Sequence, residues 1–382
     1  MVNAKTILRM LWRTERAKLK RCMLIFMFCA ALTLLLTGQE ETTVTIDGRM
    51  MSMNLDLSKL NDEDFEPFEP DVREDFPTIP GNVYTIPHVL HQIYEDYYIP
   101  SKMVHNVQSF INMNPEWTYY FWTYDSGRRL IAERYPYLID IWDNYLKPKS
   151  RANALKFIVL YEFGGVYADL DVTCLRPLER ATKRFSCVFP PEPFEHSVFL
   201  HGIPYLIGNS VILCRMGHPF LKQIVKDLQR SAVFSDQVDV TGPSFVTYNF
   251  LEYNNISLTK IFKVKKTIQT NSPYFYKGER FKNEDDINAV YIPNTVYFTD
   301  SINKRRLSRR SCYNSCQKIK EKSRLIRRAC YNLFRRGYER FRNPFTFTEP
   351  NWLDIYEYTK KSYLHSTHIS KIVPSYRYIE IQ

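Results

Sequence analysis

Glycine is scarce in this chain, 12 of 382 residues, and no internal repeat runs through it. No G-x-G-x-x-G turn, P-loop, nucleophile elbow or zinc-protease motif is present, so the glycine-cradled nucleotide folds and those hydrolase classes find no support. Long hydrophobic runs are missing too, with one exception. Cys22 to Gly38 is uncharged over about 17 residues, the lower limit for a membrane-spanning helix. Lys5, Arg9, Arg13, Arg16, Lys18, Lys20 and Arg21 precede it, and Glu40 and Glu41 follow. The positive-inside bias then leaves the N-terminus cytosolic and the bulk of the chain luminal. A cleaved signal peptide is the rival reading, but the basic head is long and no small-x-small cleavage site is evident. A short span suits a thin early-secretory bilayer, so a single-pass type II protein of the Golgi or ER is expected.

What the chain has in quantity is aromatic residues, 15%, and positive charge, net +11. Acids dominate from Asp62 to Asp75 and prolines recur at Pro67, Pro70, Pro77 and Pro80, the composition of an extended, solvated tether. The expected organisation is a basic tail over 1–21, an anchor over 22–38, a flexible stem over 39–82, a catalytic core over 83–300, a basic helical insertion over 301–345 and a closing segment over 346–382. Six of eight cysteines fall beyond the anchor, on the oxidising side, where their pairing is open. Cys312, Cys316 and Cys330 lack a fourth ligand at convincing spacing for zinc, and a local disulfide fits them better. Asn255-Ile256-Ser257 is a glycosylation acceptor tripeptide.

The most informative stretch is Phe163-Gly164-Gly165-Val166-Tyr167-Ala168-Asp169-Leu170-Asp171. In a strand, residues i and i+2 share a face, so Asp169 and Asp171 aim at one point if extended geometry persists, while a bend redirects one of them. Two carboxylates beyond a buried apolar segment are costly unless paired or coordinated. Hard oxygen ligands around a divalent cation, with positions left for phosphate oxygens, make a nucleotide-diphosphate site. The glycine pair permits a sharp turn or a close backbone approach.

Around this stretch, Ile86 to Tyr94, Tyr119 to Thr123 and Val166 to Leu170 read as strands, as does a segment within Tyr205 to Cys214. Asp125 to Tyr135, Arg151 to Tyr161, Phe220 to Leu228 and the segment opened by Thr241-Gly242-Pro243 read as helices. Ala289 to Ile292 and Val296 to Phe298 read as extended. The alternation predicts an α/β fold, a mixed but mainly parallel sheet flanked by helices, with ligands at the carboxyl ends of the strands.

In order, Ile86-Pro87-His88…His91-Gln92-Ile93-Tyr94, Asn114-Pro115-Glu116-Trp117, Phe121-Trp122-Thr123, Arg151 to Phe157, Gly164 to Asp171, Gly217-His218-Pro219-Phe220 and Thr241-Gly242-Pro243 resemble the DXD-containing glycosyltransferases of family 32. That family includes initiating mannosyltransferases, inositol-phosphoceramide mannosyltransferases and α-1,4-galactosyltransferases. The resemblance implies a GT-A fold, a nucleotide-sugar donor, Mn²⁺ or Mg²⁺ on the diphosphate, a glycan or glycolipid acceptor and transfer with retention. It makes Asp169 a ribose or metal contact, Asp171 the firmer metal ligand, and Tyr94 an aromatic face for the base. Tyr167, Asn209, Thr241 and Gly242 are implied on the donor or acceptor side, and His365 as a further metal ligand.

Where relatives carry an Asp three residues before an Arg, this chain has Asn153 and Lys156, an amide for a carboxylate and a point charge for a fork. That exchange is read as an altered donor grip, with Lys156 supporting the departing diphosphate. A catalytically silent sugar- or nucleotide-binding protein is the rival. The basic stretch Lys304 to Arg342 excludes nucleic acid only through its luminal side. It is read either as a face for acidic lipid head groups or as a solvated basic helix.

Overall fold

A computed structural model of the chain describes residues 43–46, 49–52, 72, 74–203, 205–231, 240–256, 275–278, 280–283, 285–340, 343–353 and 365–377. The expected anchor over 22–38 lies outside the described residues, and no described helix is long and apolar enough to cross a membrane. The chain divides into two units, Met1–Leu55 and Asp56–Gln382. In the first, Thr43–Ile46 pairs antiparallel with Arg49–Ser52, inside the segment expected as an extended stem.

The second unit is built on a five-stranded sheet. Its strands are β1 (Val89–Tyr94), β3 (Thr118–Thr123), β4 (Gly165–Ala168), β6 (Cys187–Val188) and β7 (Val211–Cys214), while β2 (Tyr98–Pro100) and β5 (Val172–Cys174) lie outside it. The order is β3-β1-β4-β7-β6. β1 pairs parallel with β3 and β4, whereas β7 pairs antiparallel with both β4 and β6. The sheet is thus evenly mixed, which corrects the expectation of a mainly parallel one. The short strand β7 runs back along β4, with Val211 opposite Ala168, and its hydrophobic run carries no mark of direction.

Helix α1 (Val104–Met113) places Val107 and Phe110 in one core with Leu90, Phe121, Val166 and Leu213. Helix α2 (Tyr124–Arg134) starts on a capping box, Thr123 and Ser126 satisfying each other's backbone amides. Helix α3 (Pro148–Phe163), which precedes α4 (Phe194–His201) in the chain, packs on β1 and β4, and also against α5 (Pro219–Ser231), which in turn packs on α6 (Pro243–Asn254). Its apolar residues lie all round and it is buried from Ala152 to Leu160, as expected for a core helix.

The glycine pair ends α3 and starts β4. Gly164 and Gly165 have φ of 62° and 102°. A Cβ at Gly165 would stand 2.3 Å from the Val89 carbonyl oxygen, and one at Gly164 2.5 Å from the Met216 amide, so only glycine fits either position. His91 fastens the turn. Trp122 Nε1 donates to its Nδ1 at 3.1 Å, which leaves Nε2 to donate to the Gly164 carbonyl at 2.9 Å. Burial lowers the His91 pKa to about 4, so the ring stays neutral.

The packed domain starts before the expected boundary at 83. Phe76 is fully buried among Phe185, Tyr297, Phe298 and Phe347, and Asp75 accepts both Nη groups of Arg176 at 2.9 and 3.0 Å. A second correction concerns Val296 to Phe298. Asn294 accepts the Val296 amide at 2.9 Å and caps a 3₁₀ turn over Thr295–Tyr297 instead of an extended segment. Among the described residues two disulfides form, Cys187–Cys214 across β6 and β7 and Cys316–Cys330, while Cys174 and Cys312 are buried free thiols. Asn255 is exposed in the left-handed cap of α6, with Ser257 of its tripeptide outside the described residues.

Candidate active site

Strand β4 ends at Ala168, one residue short of Asp169, and the chain turns through Leu170 and Asp171 before β5 begins. The Asp169 amide remains tied to the Ser210 carbonyl at 2.8 Å, and the Val172 amide closes the turn on the Asp169 carbonyl at 3.1 Å. Extended geometry therefore does not persist across the motif. Each carboxylate is anchored separately at the carboxyl end of a central strand, where ligands collect in such sheets.

Asp169 is held by α3 and β4. Its Oδ1 accepts Lys156 Nζ at 3.1 Å and the Tyr167 hydroxyl at 2.6 Å. Lys156 is 1% exposed; its Nζ also donates to the Asn209 carbonyl at 2.9 Å and lies 4.5 Å from the centre of the Tyr167 ring. Burial lowers the Lys156 pKa, and the Asp169 charge works against that shift. Asp171 is held from the far end of the chain. Its Oδ2 accepts the Leu353 amide at 2.8 Å and its carbonyl accepts the Asn351 amide at 2.8 Å. These contacts are delivered by Thr348–Pro350, which pairs antiparallel with β5.

Asp169 Oδ2 has no hydrogen-bond or ion-pair partner among the described residues, while the Asp171 carboxylate receives its own backbone amide as well as that of Leu353. Burial, and then the neighbouring charge of Asp169, push the Asp171 pKa up to about 6. Two half-buried carboxylates that repel each other, with Asp169 Oδ2 in reserve, fit a divalent cation. It would replace repulsion with shared coordination.

The remaining expected residues divide into those brought to this place and those that are not. Asn209 is buried, and its Nδ2 makes no hydrogen bond to a described residue although its backbone carbonyl holds Lys156. The neighbouring Ser210 hydroxyl is also buried and unpartnered. Such orphaned donors are costly unless a ligand completes them. Asn153, one turn before Lys156 on α3, is buried at 3% exposed with no side-chain hydrogen bond to a described residue. Thr241 Oγ1 donates to the Ser150 carbonyl at 3.3 Å, and Gly242 caps α6, so both sit beside the first turn of α3. Tyr94 closes β1 in register with Thr123 and is buried.

Two expected placements change. Tyr167 is fully buried and spends its hydroxyl on Asp169, so it positions the carboxylate and has no face for a donor. His365 is exposed and does not gather within 4.8 Å of the two aspartates among the described residues. It directly precedes Ser366–His368, which pairs with β2. That pairing gives the C-terminal segment a structural role at the domain edge. The His368 ring caps Ser370 and leans on Tyr98, its centroid 5.0 Å away.

Lys149 was not among the expected residues. Its charge bears on both Asp171 and Lys156. The signal was there as spacing: Lys149, Asn153 and Lys156 stand at i, i+4 and i+7, one face of a helix. The Leu353 amide had no such signal, because 182 residues separate it from Asp171.

Residues 100–187 match the family model described as "Glycosyltransferase sugar-binding region containing DXD motif". Over 169 residues the chain is 33% identical to "Inositol phosphoceramide mannosyltransferase 3" of Schizosaccharomyces pombe, covering 42% of this chain and 44% of that protein. It is 28% identical over 207 residues to "Mannosyl phosphorylinositol ceramide synthase SUR1" of Saccharomyces cerevisiae, covering 53% and 50%. It is 22% identical over 203 residues to "Initiation-specific alpha-1,6-mannosyltransferase" of Candida albicans, covering 44% and 52%. The chain thus spans about half the length of these curated relatives. A solved structure titled "PaToxG Glycosyltransferase" shares 14% identity at a TM-score of 0.34, covering 47% of this chain and 72% of that chain, too slight a likeness to bear on the fold. The resemblance read from the motifs agrees with these matches, and the span similar to the family model encloses Asn153, Lys156, Asp169 and Asp171.

Proposed function

We propose that this DXD-containing chain is a GT-A-type glycosyltransferase that moves a hexose from a UDP- or GDP-sugar to a glycan or glycolipid hydroxyl with retention of configuration. The observation that carries this reading is the pair of mutually repelling carboxylates Asp169 and Asp171 just beyond β4, with Asp169 Oδ2 unspent, beside the orphaned Asn209 amide. A Mn²⁺ or Mg²⁺ ion held by those two carboxylates would supply Lewis-acid stabilisation of the charge gathering on the departing diphosphate. The names of the similar proteins favour a mannosyl donor and a glycolipid acceptor, and an anchor over 22–38, as expected from the sequence, would put the site on the luminal side of the Golgi or ER membrane.

The chain's own residues divide the work. Lys156, buried and fixed by Asp169 and the Asn209 carbonyl, holds the first carboxylate in one orientation and adds positive potential beneath the diphosphate. Lys149, two turns nearer the start of α3, is exposed and reaches outward for phosphate oxygens. Asn153 and Asn209 offer neutral amides to sugar hydroxyls, with Asn209 Nδ2 already desolvated for the task. Tyr94, with Tyr124 just beyond β3, gives an aromatic wall at the carboxyl ends of the parallel strands for the base. The acceptor hydroxyl enters from the leaving-group side, since no carboxylate of the motif is poised as a covalent nucleophile.

Transfer of radiolabelled hexose, followed with each nucleotide sugar, with and without EDTA and for Asp171→Ala, tests the proposal. Transfer that is lost in both controls supports it, and transfer undiminished in both overturns the metal assignment. One observation favours a second reading, a silent nucleotide-sugar-binding protein: Lys156 occupies an oxygen of Asp169 that a cation could use. Metal-dependent donor binding by calorimetry, without hydrolysis or transfer, would decide for it.

A further inference from the structure

Residues 304–340 fold as a helical hairpin of α7 (Arg309–Ser315) and α8 (Arg324–Arg336). Its inner face is closed by Ile302, Leu307, Cys312, Leu333 and Tyr338, and it is stapled by Cys316–Cys330. Asn332 and Arg340 fix it to Glu195, and Arg336 pairs with Asp300. With the inner face satisfied, ordinary packing leaves polar residues outside. Here the outer face carries Tyr331 at 56% exposed, Phe334 at 54% and Tyr313 at 40%, the Tyr313 and Phe334 rings 5.7 Å apart.

Around these rings the charge is of one sign. On α8, Arg324, Arg327, Arg328, Tyr331, Phe334 and Arg335 recur at the spacing of a single helix face, and Arg328 lies 5.5 Å from the centre of the Tyr331 ring. Glu321 and Glu339 are the only acids between 304 and 340, and Glu339 is taken by Lys304 and Arg309. Arg310, Arg327 and Arg328 have no acidic partner among the described residues. Exposed aromatics ringed by arginines match a surface whose outer layer is anionic and whose next layer is apolar. A protein partner of matching charge would satisfy the arginines and leave the rings to water, whereas lipid satisfies both.

The hairpin is wired to the site. Arg305 Nη1 donates to the Leu353 carbonyl at 3.0 Å, while the amide of the same residue donates to Asp171 Oδ2 at 2.8 Å. We propose that the outer face of this disulfide-stapled hairpin docks on an anionic phospholipid bilayer and seats the Asp169–Asp171 site against the membrane surface. The docking stands apart from sugar transfer. Only its consequence, delivery of the site to a membrane-borne acceptor, rests on the function proposed above.

The test uses the full chain carrying Tyr331→Trp, reconstituted in nanodiscs of phosphatidylcholine alone or with phosphatidylinositol, with and without brominated acyl chains. The emission change relative to the unsubstituted chain isolates the introduced indole. Brominated lipid is expected to quench it in the anionic discs only, and both added salt and Arg327→Glu with Arg328→Glu are expected to abolish the quenching. The salt arm keeps the test decisive should the double reversal fail to fold. Equal emission in the two lipid compositions, or quenching indifferent to salt, overturns the proposal, as does an unquenched indole in both, the outcome for a protein occupant. Repeating the measurement in Asp171→Asn separates docking from catalysis, because the quenching is expected unchanged where transfer is lost.

Discussion

Replacing Asp171 with asparagine should stabilise the metal-free domain while destroying its function. The Asp171 carboxyl, ordinarily near 3.8, is held up at about 6 by burial and by Asp169. Between those values the native state binds a proton that the unfolded chain has lost, so stability falls as pH rises through the interval. Each pH unit is worth about 1.4 kcal/mol, which puts the cost of ionised Asp171 above pH 6 at up to about 3 kcal/mol. Asparagine keeps an acceptor oxygen for the Leu353 amide and removes the charge. In EDTA at pH 7.5, Asp171→Asn should therefore melt several degrees above the wild type, with the difference closing near pH 4. Added Mn²⁺ should raise the wild-type melting point and leave the variant where it was, and transfer should disappear. A variant that melts lower than the wild type in EDTA at pH 7.5, or that gains as much from Mn²⁺, would refute the picture of an Asp171 carboxylate made costly by burial and by Asp169.

Lys149→Glu places an anion where the exposed amine faces Asp171 and Lys156, so nucleotide diphosphate binding should weaken by roughly tenfold, about 1.4 kcal/mol, with little change in melting point. Calorimetric titration with UDP and GDP reads that loss, and an unaltered Kd removes Lys149 from the site. Gly165→Ala drives a Cβ to 2.3 Å from the Val89 carbonyl at a φ of 102°, so it should cost about 3 kcal/mol or more and lower the melting temperature sharply. A melting curve that overlays the wild type would show that the α3–β4 junction has slack the backbone does not display.

What could be read ahead of the structure is what depends on near neighbours. The glycine pair with two acids after it implied a tight junction, and Gly164 and Gly165 supply it. The apolar run before the pair implied a buried helix, and α3 is one. Contacts that close over long separations left no local trace: Phe76 belongs to the core because Phe298 and Phe347 return to it, and Asp171 is oriented by an amide from the last part of the chain. Sheet direction was misjudged for the same reason, since β7 shows the same short hydrophobic run whichever way it pairs. The donor-side place that the resemblance implied for Tyr167 carried no sign that its hydroxyl would be spent on Asp169 and its ring covered by Lys156.

The two exchanges read from the resemblance, Asn153 and Lys156, make one physical unit. An arginine at 156 would bring five donors into a space where Asp169, the Asn209 carbonyl and the Tyr167 ring receive what the lysine ammonium offers. The remaining guanidinium hydrogens would be buried without partners, at a cost no surface ion pair recovers. A carboxylate at 153, one turn away, would compete with Asp169 for that same buried ammonium. Asparagine removes the competitor, so the charge of Lys156 is spent on Asp169 and the amide at 153 stays uncommitted. Asn153 and Lys156 therefore suit each other, and under the function proposed above the pair is a coherent arrangement beside Asp169 rather than decay of a site.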